Sequence, residues 1–439
     1  METKPYPQYK ESGIQWIGKI PEEWSSHKIK DYLEFDIGGT PPTSHEEYFE
    51  GDNVWISIED LTTNKTIDIK NSKKKISDEA IKKSNVKLIK KGSLLFSFKL
   101  TVGETAFAGC DLYTNEAIAA FKQNKNISLN YLKYLLKVGF ENNAFENIYG
   151  AKIFNSELIK FAKIIKPSFI EQEQIAKYLD NKTTKIQKTI TKNKQLITLL
   201  KEKRTTLINQ TVTKGLNPDV PMKESGIEWI GQIPEHWKLS RLKFNISKKA
   251  QYGANKEPEK NDEKLDVRYI RITDIDDNGF LKDSKVYLSK EDAKEFLLNE
   301  NDILFARSGA TVGKAYLHKN NLEKCCFAGY LIRYVPSKTL NSKFLLYFTL
   351  SKCYWSWIHY VSTQATIENV SADKYNELIL PIPPLIEQEN INEYLDNQTK
   401  NIDKTIEKVE KNIELLEEYK ESLIHHVVTG KIDVRGVEL

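Results

Sequence analysis

The sequence predicts an α/β (α+β) chain: two tandem globular bodies separated by two long antiparallel coiled-coil helices and related by a pseudo-twofold internal repeat. Three observations carry that expectation. The passage KESGIQWIGKIPEEW from Lys10 returns almost unchanged as KESGIEWIGQIPEHW from Lys223. A second, IEQEQIAKYLDNKTTKIQKTI from Ile170, returns as IEQENINEYLDNQTKNIDKTI from Ile386. A third, fainter match sets LLFSFKLTVGETAF from Leu94 against ILFARSGATVGKAY from Ile303, with one residue of slippage. All three recur at a near-constant spacing of about 215 residues, which marks a duplicated unit.

The elements follow in order. Residues 1–24 hold the first repeat motif, 25–166 a variable body, and 167–215 a central helix. Residues 216–237 are a linker with the second motif, 238–382 a second body, 383–430 a C-terminal helix and 431–439 a tail. In the bodies, β-rich runs such as NVWISIEDL and VRYIRITDI sit between Gly/Pro/Asn turns, with helical stretches such as NYLKYLLKV after them. Ser168 followed by Glu171 reads as a capping box, the serine oxygen taking one unpaired N–H and the glutamate another. The second helix opens after PIPPL, where proline presets the first turn. Gly215 with Pro218 and Pro221 ends the first helix, and Gly430 ends the second.

Alternating steps of four and three residues describe a coiled-coil seam on both helices. In the first it runs through Leu179, Ile186, Ile190, Asn193, Ile197, Leu200 and Leu207. In the second it runs through Leu395, Ile402, Ile406, Val409, Ile413, Leu416 and Leu423. Asn193 favours one register at a cost in stability. Between Lys182 and Arg204 the first helix has eight basic residues and one acid, Glu202, whereas Gln398–Lys420 has five basic residues and six acids. The basic helix therefore prefers the acidic one to a copy of itself; the competing reading is a merely solvated face. Leu179 to Leu207 spans roughly 42 Å of helix, comparable with the 34–36 Å between DNA half-sites one turn apart.

Composition narrows the function. The 439 residues carry a net charge of only +4, so a grip on nucleic acid needs locally concentrated charge or a partner. No apolar run approaches the ~18–20 residues of a membrane span, and METKPYPQYK lacks the apolar core of a secretory signal. The four cysteines suit neither a disulfide framework nor zinc spacing, so a reducing cytoplasm is expected, with no metal site. There is no GxxxxGK[ST] phosphate loop, and NPDV at Asn217 has the wrong residues and setting for an adenine-methylase loop. The chain is read as non-catalytic.

Two variable bodies alternating with GIQWIGKIPEEW/GIEWIGQIPEHW and PSFIEQEQIAKYLD/PPLIEQENINEYLD, with GGTPPTS opening the first body, closely resemble the specificity subunit of type I restriction–modification enzymes. The resemblance covers essentially the whole chain. It implies that each body is a target recognition domain reading one half of a bipartite site on double-stranded DNA, with the paired helices setting the spacer. It also implies two modification (methyltransferase) subunits and restriction/translocase subunits as partners. Those partners would supply the site-specific adenine-DNA methyltransferase and type I endodeoxyribonuclease activities, and would hold S-adenosylmethionine, ATP and Mg, with no cofactor on this chain. A self-sufficient two-headed DNA-binding regulator, or a coiled-coil scaffold without a DNA role, are the alternatives.

Phosphate and base-edge contacts favour loops bearing Gly, Ser/Thr, Asn/Gln, Lys and Arg. In the first body the candidate DNA-binding residues are Gly38, Gly39, Thr40, Thr43 and Ser44, then Lys99 with Thr101, and Tyr149 with Lys152. In the second they are Gln251, Tyr252 and Asn255, then Arg307 with Ser308, Lys314, and Thr363 with Gln364. The TVG stretches read equally as structural turns, and GGTPP is open between loop structure and base reading. Trp16, Trp24, Trp229 and Trp237 are either staples within their own domain or anchors for a partner.

Overall fold

The computed structural model describes residues 4–63, 68–99, 101–141, 145–146, 152–153, 155–258, 267–283, 285–319, 323–363 and 369–437. The chain forms two compact units, Met1–Lys192 with Asn412–Leu439 and Asn193–Lys411. Each long helix thus gives one segment to each unit, a division that the linear order of motif, body and helix does not reveal.

In the first unit a five-stranded sheet runs Phe35–Ile37, Ile118–Phe121, Leu94–Ser97, Thr105–Ala108, Asp68–Ile69. A three-stranded sheet runs Tyr113–Thr114, Asn53–Ile56, Lys74–Ile76, its first pair parallel. The second unit repeats the first four strands of the larger order and the whole of the smaller one, with different residues. Its larger sheet runs Ile246–Tyr252, Leu331–Pro336, Ile303–Ala306, Ala315–Leu317, and its smaller one Tyr287–Leu288, Val267–Ile270, Cys325–Phe327. The central strands LLFS, IAAF and ILFA are buried at every position, which is why they read as unbroken apolar runs rather than alternating ones. The one-residue slippage lies in a hairpin turn: Phe96 pairs with Thr105 and Phe305 with Ala315, so the second turn is longer by one residue while strand register is kept.

The repeated motif folds the same way twice. Ser12 N–H donates to Gly18 O at 2.8 Å, and Ser225 N–H to Gly231 O at 3.0 Å. The serine hydroxyl oxygens accept from Ile14 N–H and Ile227 N–H. Gly13, Gly18, Gly226 and Gly231 have φ between 68° and 72°, a conformation open to glycine at no steric cost. Trp24 and Trp237 are fully buried, each under the glycine that ends a long helix: a Cβ on Gly430 would come within 3.1 Å of Trp24, and one on Gly215 within 3.2 Å of Trp237. Trp16 packs on His425 (6.3 Å) and Trp229 on Tyr360 (5.4 Å), so all four tryptophans are used inside their own units. Each body is closed by the strand after the motif pairing with the strand before the long helix, Ser25–Lys28 with Lys163–Lys166 and Lys238–Arg241 with Ile379–Ile382.

The IEQE text is likewise used internally. Buried Gln172 accepts from Ser128 N–H and donates to Asn126 O and Pro167 O. Gln388 accepts from Asn341 N–H and donates to Thr339 O and Pro383 O. One helical face further on, Asp180 accepts from Lys133 Nζ and Tyr134 Oη, both at 2.6 Å, and Asp396 from Lys343 and Tyr347. The Ser168 cap forms, but Glu171 does not complete the box: its carboxylate accepts from Tyr6 Oη at 2.7 Å, because the N-terminal segment packs over the helix start. The tail also joins this unit, with Arg435 paired to Asp433 and Glu23 and stacked 4.7 Å from the Tyr6 ring.

The long helices are Phe169–Lys214 and Leu385–Val428. In the second unit Ile208 and Val212 join Ile391 and Leu395 in one core cluster, while Arg204 pairs with Asp403 at 3.2 Å, so numbers rise on one helix as they fall on the other: the pair is antiparallel. In the first unit Tyr131 Oη donates to both Ile165 O and Val428 O, and Lys420 donates to Gln187, the same sense. Arg204 and Lys420, like Asp403 and Gln187, are equivalent repeat positions, so each unit makes the same interhelical contact. All fourteen seam residues are buried or half-buried.

Candidate nucleic-acid interface

In each unit a subset of the candidate residues lies at one end of three adjacent strands. In the first unit this is where Phe35–Ile37 and Leu94–Ser97 end and Ile118–Phe121 begins. Gly39 N–H donates to Thr114 O at 2.9 Å, and a Cβ on Gly38 would lie 2.1 Å from the same oxygen. The two glycines are therefore required by close backbone approach, and Trp55 Nε1 donates to Gly39 O at 3.0 Å. Beyond them Thr40 donates to the Glu116 carboxylate, and that bond, with Lys99 nearby, holds Glu116 below the usual carboxylate range. Thr43 and Ser44 are exposed. Lys99 is exposed beside the Phe98 ring, and Thr101 O accepts from Ser97 Oγ at 2.5 Å inside the turn.

In the second unit Tyr252, Arg307 and Ser308 come together at the equivalent corner. The Arg307 guanidinium lies 4.8 Å from the Tyr252 ring centroid. Tyr252 Oη accepts from Ala372 N–H, and Ser308 bridges to Asn369. The Asn255 amide packs against Gly329, where a Cβ would meet Oδ1 at 1.8 Å. Two candidates are engaged elsewhere. Gln251 donates its amide to Glu295 O, and Lys314 is tied to Asp277 at 2.7 Å, which lowers the Asp277 pKa and offsets the lysine charge. Gly103 and Gly313 adopt φ of 101° and 88°, so both TVG stretches form tight turns. Tyr149 and Gln364 lie outside the described residues, as do the side chains of Lys152 and Thr363.

Three residues at these corners were not singled out in the sequence: Glu116, Tyr330 and Asn369. Tyr330 is 61% exposed, and its carbonyl holds Arg307 N–H at 3.0 Å. An aromatic in the turn between CCF and LIRYV was its only signal. The cysteines are free; burial pushes Cys325 up to about 11 and Cys326 to about 12, away from thiolate chemistry. Among the described residues no group of three or more His, Cys, Asp or Glu is placed to hold a metal, and no helix is long and apolar enough to cross a membrane.

A sequence model of the family described as type I restriction modification DNA specificity domain matches residues 21–199 and 234–417. The chain is 25% identical to the MjaIX type I restriction enzyme specificity subunit of Methanocaldococcus jannaschii, over 95% of each chain. It is 28% identical to the EcoKI specificity subunit of Escherichia coli over 46% of this chain and 44% of that one. Its fold matches a chain from a type I R-M system solved for its complex assembly and conformational transition, with TM-score 0.68, 16% identity and coverage of 93% and 98%. It also matches the HsdS subunit of Thermoanaerobacter tengcongensis, with TM-score 0.55, 15% identity and coverage of 96% and 99%. With the specificity model matched once in each repeat, the chain belongs to the type I restriction–modification DNA specificity family.

Proposed function

We propose that this chain is the DNA sequence-specificity subunit of a cytoplasmic type I restriction–modification complex, a non-catalytic subunit that binds a bipartite site with one half-site per unit. The observation that carries the reading is one strand order presented twice with different side chains at the same corner: Thr40, Lys99 and Glu116 in one unit, Tyr252, Arg307 and Tyr330 in the other. A shared scaffold with exchanged tips is what reading two different half-sites requires. The paired helices set the spacer between the half-sites. Methyl transfer to adenine requires flipping the base out of the duplex, and cleavage requires ATP-driven translocation. Both belong to the modification and restriction subunits, which carry S-adenosylmethionine, ATP and Mg.

Two modification subunits bind to the matched surface that packing leaves open. Ile170 and Ile386 are each 74% exposed at the start of their helices, and Phe169 and Leu385 each 44%. An apolar pair shown identically in both repeats fits one partner present twice. Methylome sequencing of cells expressing the methyltransferase with and without this chain tests the reading. A two-part methyl-adenine motif that depends on the chain supports it; an unchanged methylome rejects it.

A further inference from the structure

We infer that Arg307 reads a guanine in the half-site bound by the second unit, with Tyr252 as the residue that pre-orients it. The inference rests on the reading that this unit binds DNA. Six of the seven arginines in the sequence are paired with Asp or Glu within 4 Å. Arg307 has no carboxylate partner among the described residues. In a chain with 65 basic and 61 acidic residues, one unpaired arginine stands out.

It is also held still. Its N–H donates to Tyr330 O at 3.0 Å, and its carbonyl accepts from Val370 N–H at 2.8 Å. The guanidinium stacks 4.8 Å from the Tyr252 ring, itself tethered through its hydroxyl to Ala372 N–H at 3.1 Å. Nε is buried without a hydrogen-bond partner. The two terminal nitrogens have no partner among the described residues either, and they are not buried. The outcome is a rigid fork presenting two parallel donors, which match the O6 and N7 acceptors of guanine in the major groove.

A phosphate would accept the same donors, but a phosphate contact needs no such fixing and serves any sequence. The first unit argues against it as well. Phe98 stands at the equivalent place, its N–H donating to Ala117 O at 3.0 Å as Arg307 does to Tyr330 O. The cation of that corner in the first unit is the exposed Lys99, one residue on, which brings charge without the planar fork of an arginine. A position that changes from phenylalanine to arginine on the same backbone is instead placed to differ with the sequence read.

The test uses the complex with methyltransferase, assembled with the wild-type chain, Arg307→Ala or Arg307→Lys. Binding is measured on DNA in which each base pair of both half-sites is replaced in turn. The wild-type complex is expected to lose about 5- to 150-fold on replacing one G·C pair of the second half-site. With Arg307→Ala that ratio falls to within about twofold, while every other position keeps its own. Arg307→Lys, which keeps the charge and loses the fork, is expected to restore affinity but not the ratio. Uniform weakening by Arg307→Ala with ratios unchanged, an unchanged profile, or full restoration by lysine each overturns the inference. So does a wild-type profile with no guanine preference in that half. If Arg307→Ala does not fold by thermal unfolding, the lysine variant alone decides. A wild-type complex that discriminates at no position overturns the DNA reading itself.

Discussion

Gln172 and Gln388 show what the repeated text does at the scale of one side chain. Each amide is buried and bonded to three main-chain groups that have no other use for their position. Gln388→Ala should lower unfolding stability by about 2–4 kcal/mol, because main-chain groups are left buried and unpaired. Urea denaturation monitored by circular dichroism measures it, and a loss below about 0.5 kcal/mol contradicts the role. His318 is 4% exposed with Nδ1 3.2 Å from Tyr316 Oη, and burial holds its pKa below the ordinary 6.5. A histidine whose folded pKa is depressed favours the unfolded state when protonated, so its contribution is intact above pH 6.5 and lost as pH falls below it. His318→Gln should therefore flatten the decline in melting temperature between pH 7.5 and pH 5. At this scale the helix-ending Gly215 and Gly430 were legible, because local backbone demands dictate that residue type; the tryptophans read equally as staples or partner anchors, since neighbours such as His425 and Tyr360 are distant in sequence. Lys314 and Gln251 were not legible, since Asp277 and Glu295, which occupy them, are distant in sequence.

At the scale of elements, both long helices could be delimited from capping and breaking residues, since those signals are local. The seam was legible along both helices and drifts only at the C-terminal end of the first. Leu207 is only half-buried, while Ile208 and Val212 are fully buried. A straight helix rotates about 20° per heptad against a strict seven-residue count, which over four heptads moves the buried position on by one residue. Asn193 Nδ2 is buried without a hydrogen-bond partner. Asn193→Leu should raise the melting temperature, by an amount corresponding to about 1–2 kcal/mol, because it removes that unpaired donor. A decrease would show the amide to be bonded in solution. Inserting four residues near Asn193, one turn of about 5.4 Å, should change the spacer in the methylated motif and leave both half-sites unchanged. A changed half-site with an unchanged spacer would reject the role of the helices. The strand orders could not be read from the sequence: runs of two to seven residues say that strands exist, but pairing is settled by contacts across the body.

For the whole molecule, duplication predicts stoichiometry. Native mass spectrometry of the assembled complex should find two methyltransferase subunits for each copy of this chain. Ile170→Asp combined with Ile386→Asp should weaken that assembly at least tenfold with little change in melting temperature, since both residues are exposed in the free chain. Either single variant should leave one site working. The duplication was plain in the sequence, but the parsing of each helix between two compact units was not, because a repeat shows what is equivalent and not what it packs against.

The closing strand pairs have a genetic consequence. Ser25–Lys28 with Lys163–Lys166, and Lys238–Arg241 with Ile379–Ile382, bracket each body in the same way, just inside text that is nearly identical between the copies. A crossover within that text would hand over an entire body with both of its boundary strands already matched. Such an exchange would bring in a new interior without asking the remaining core to repack.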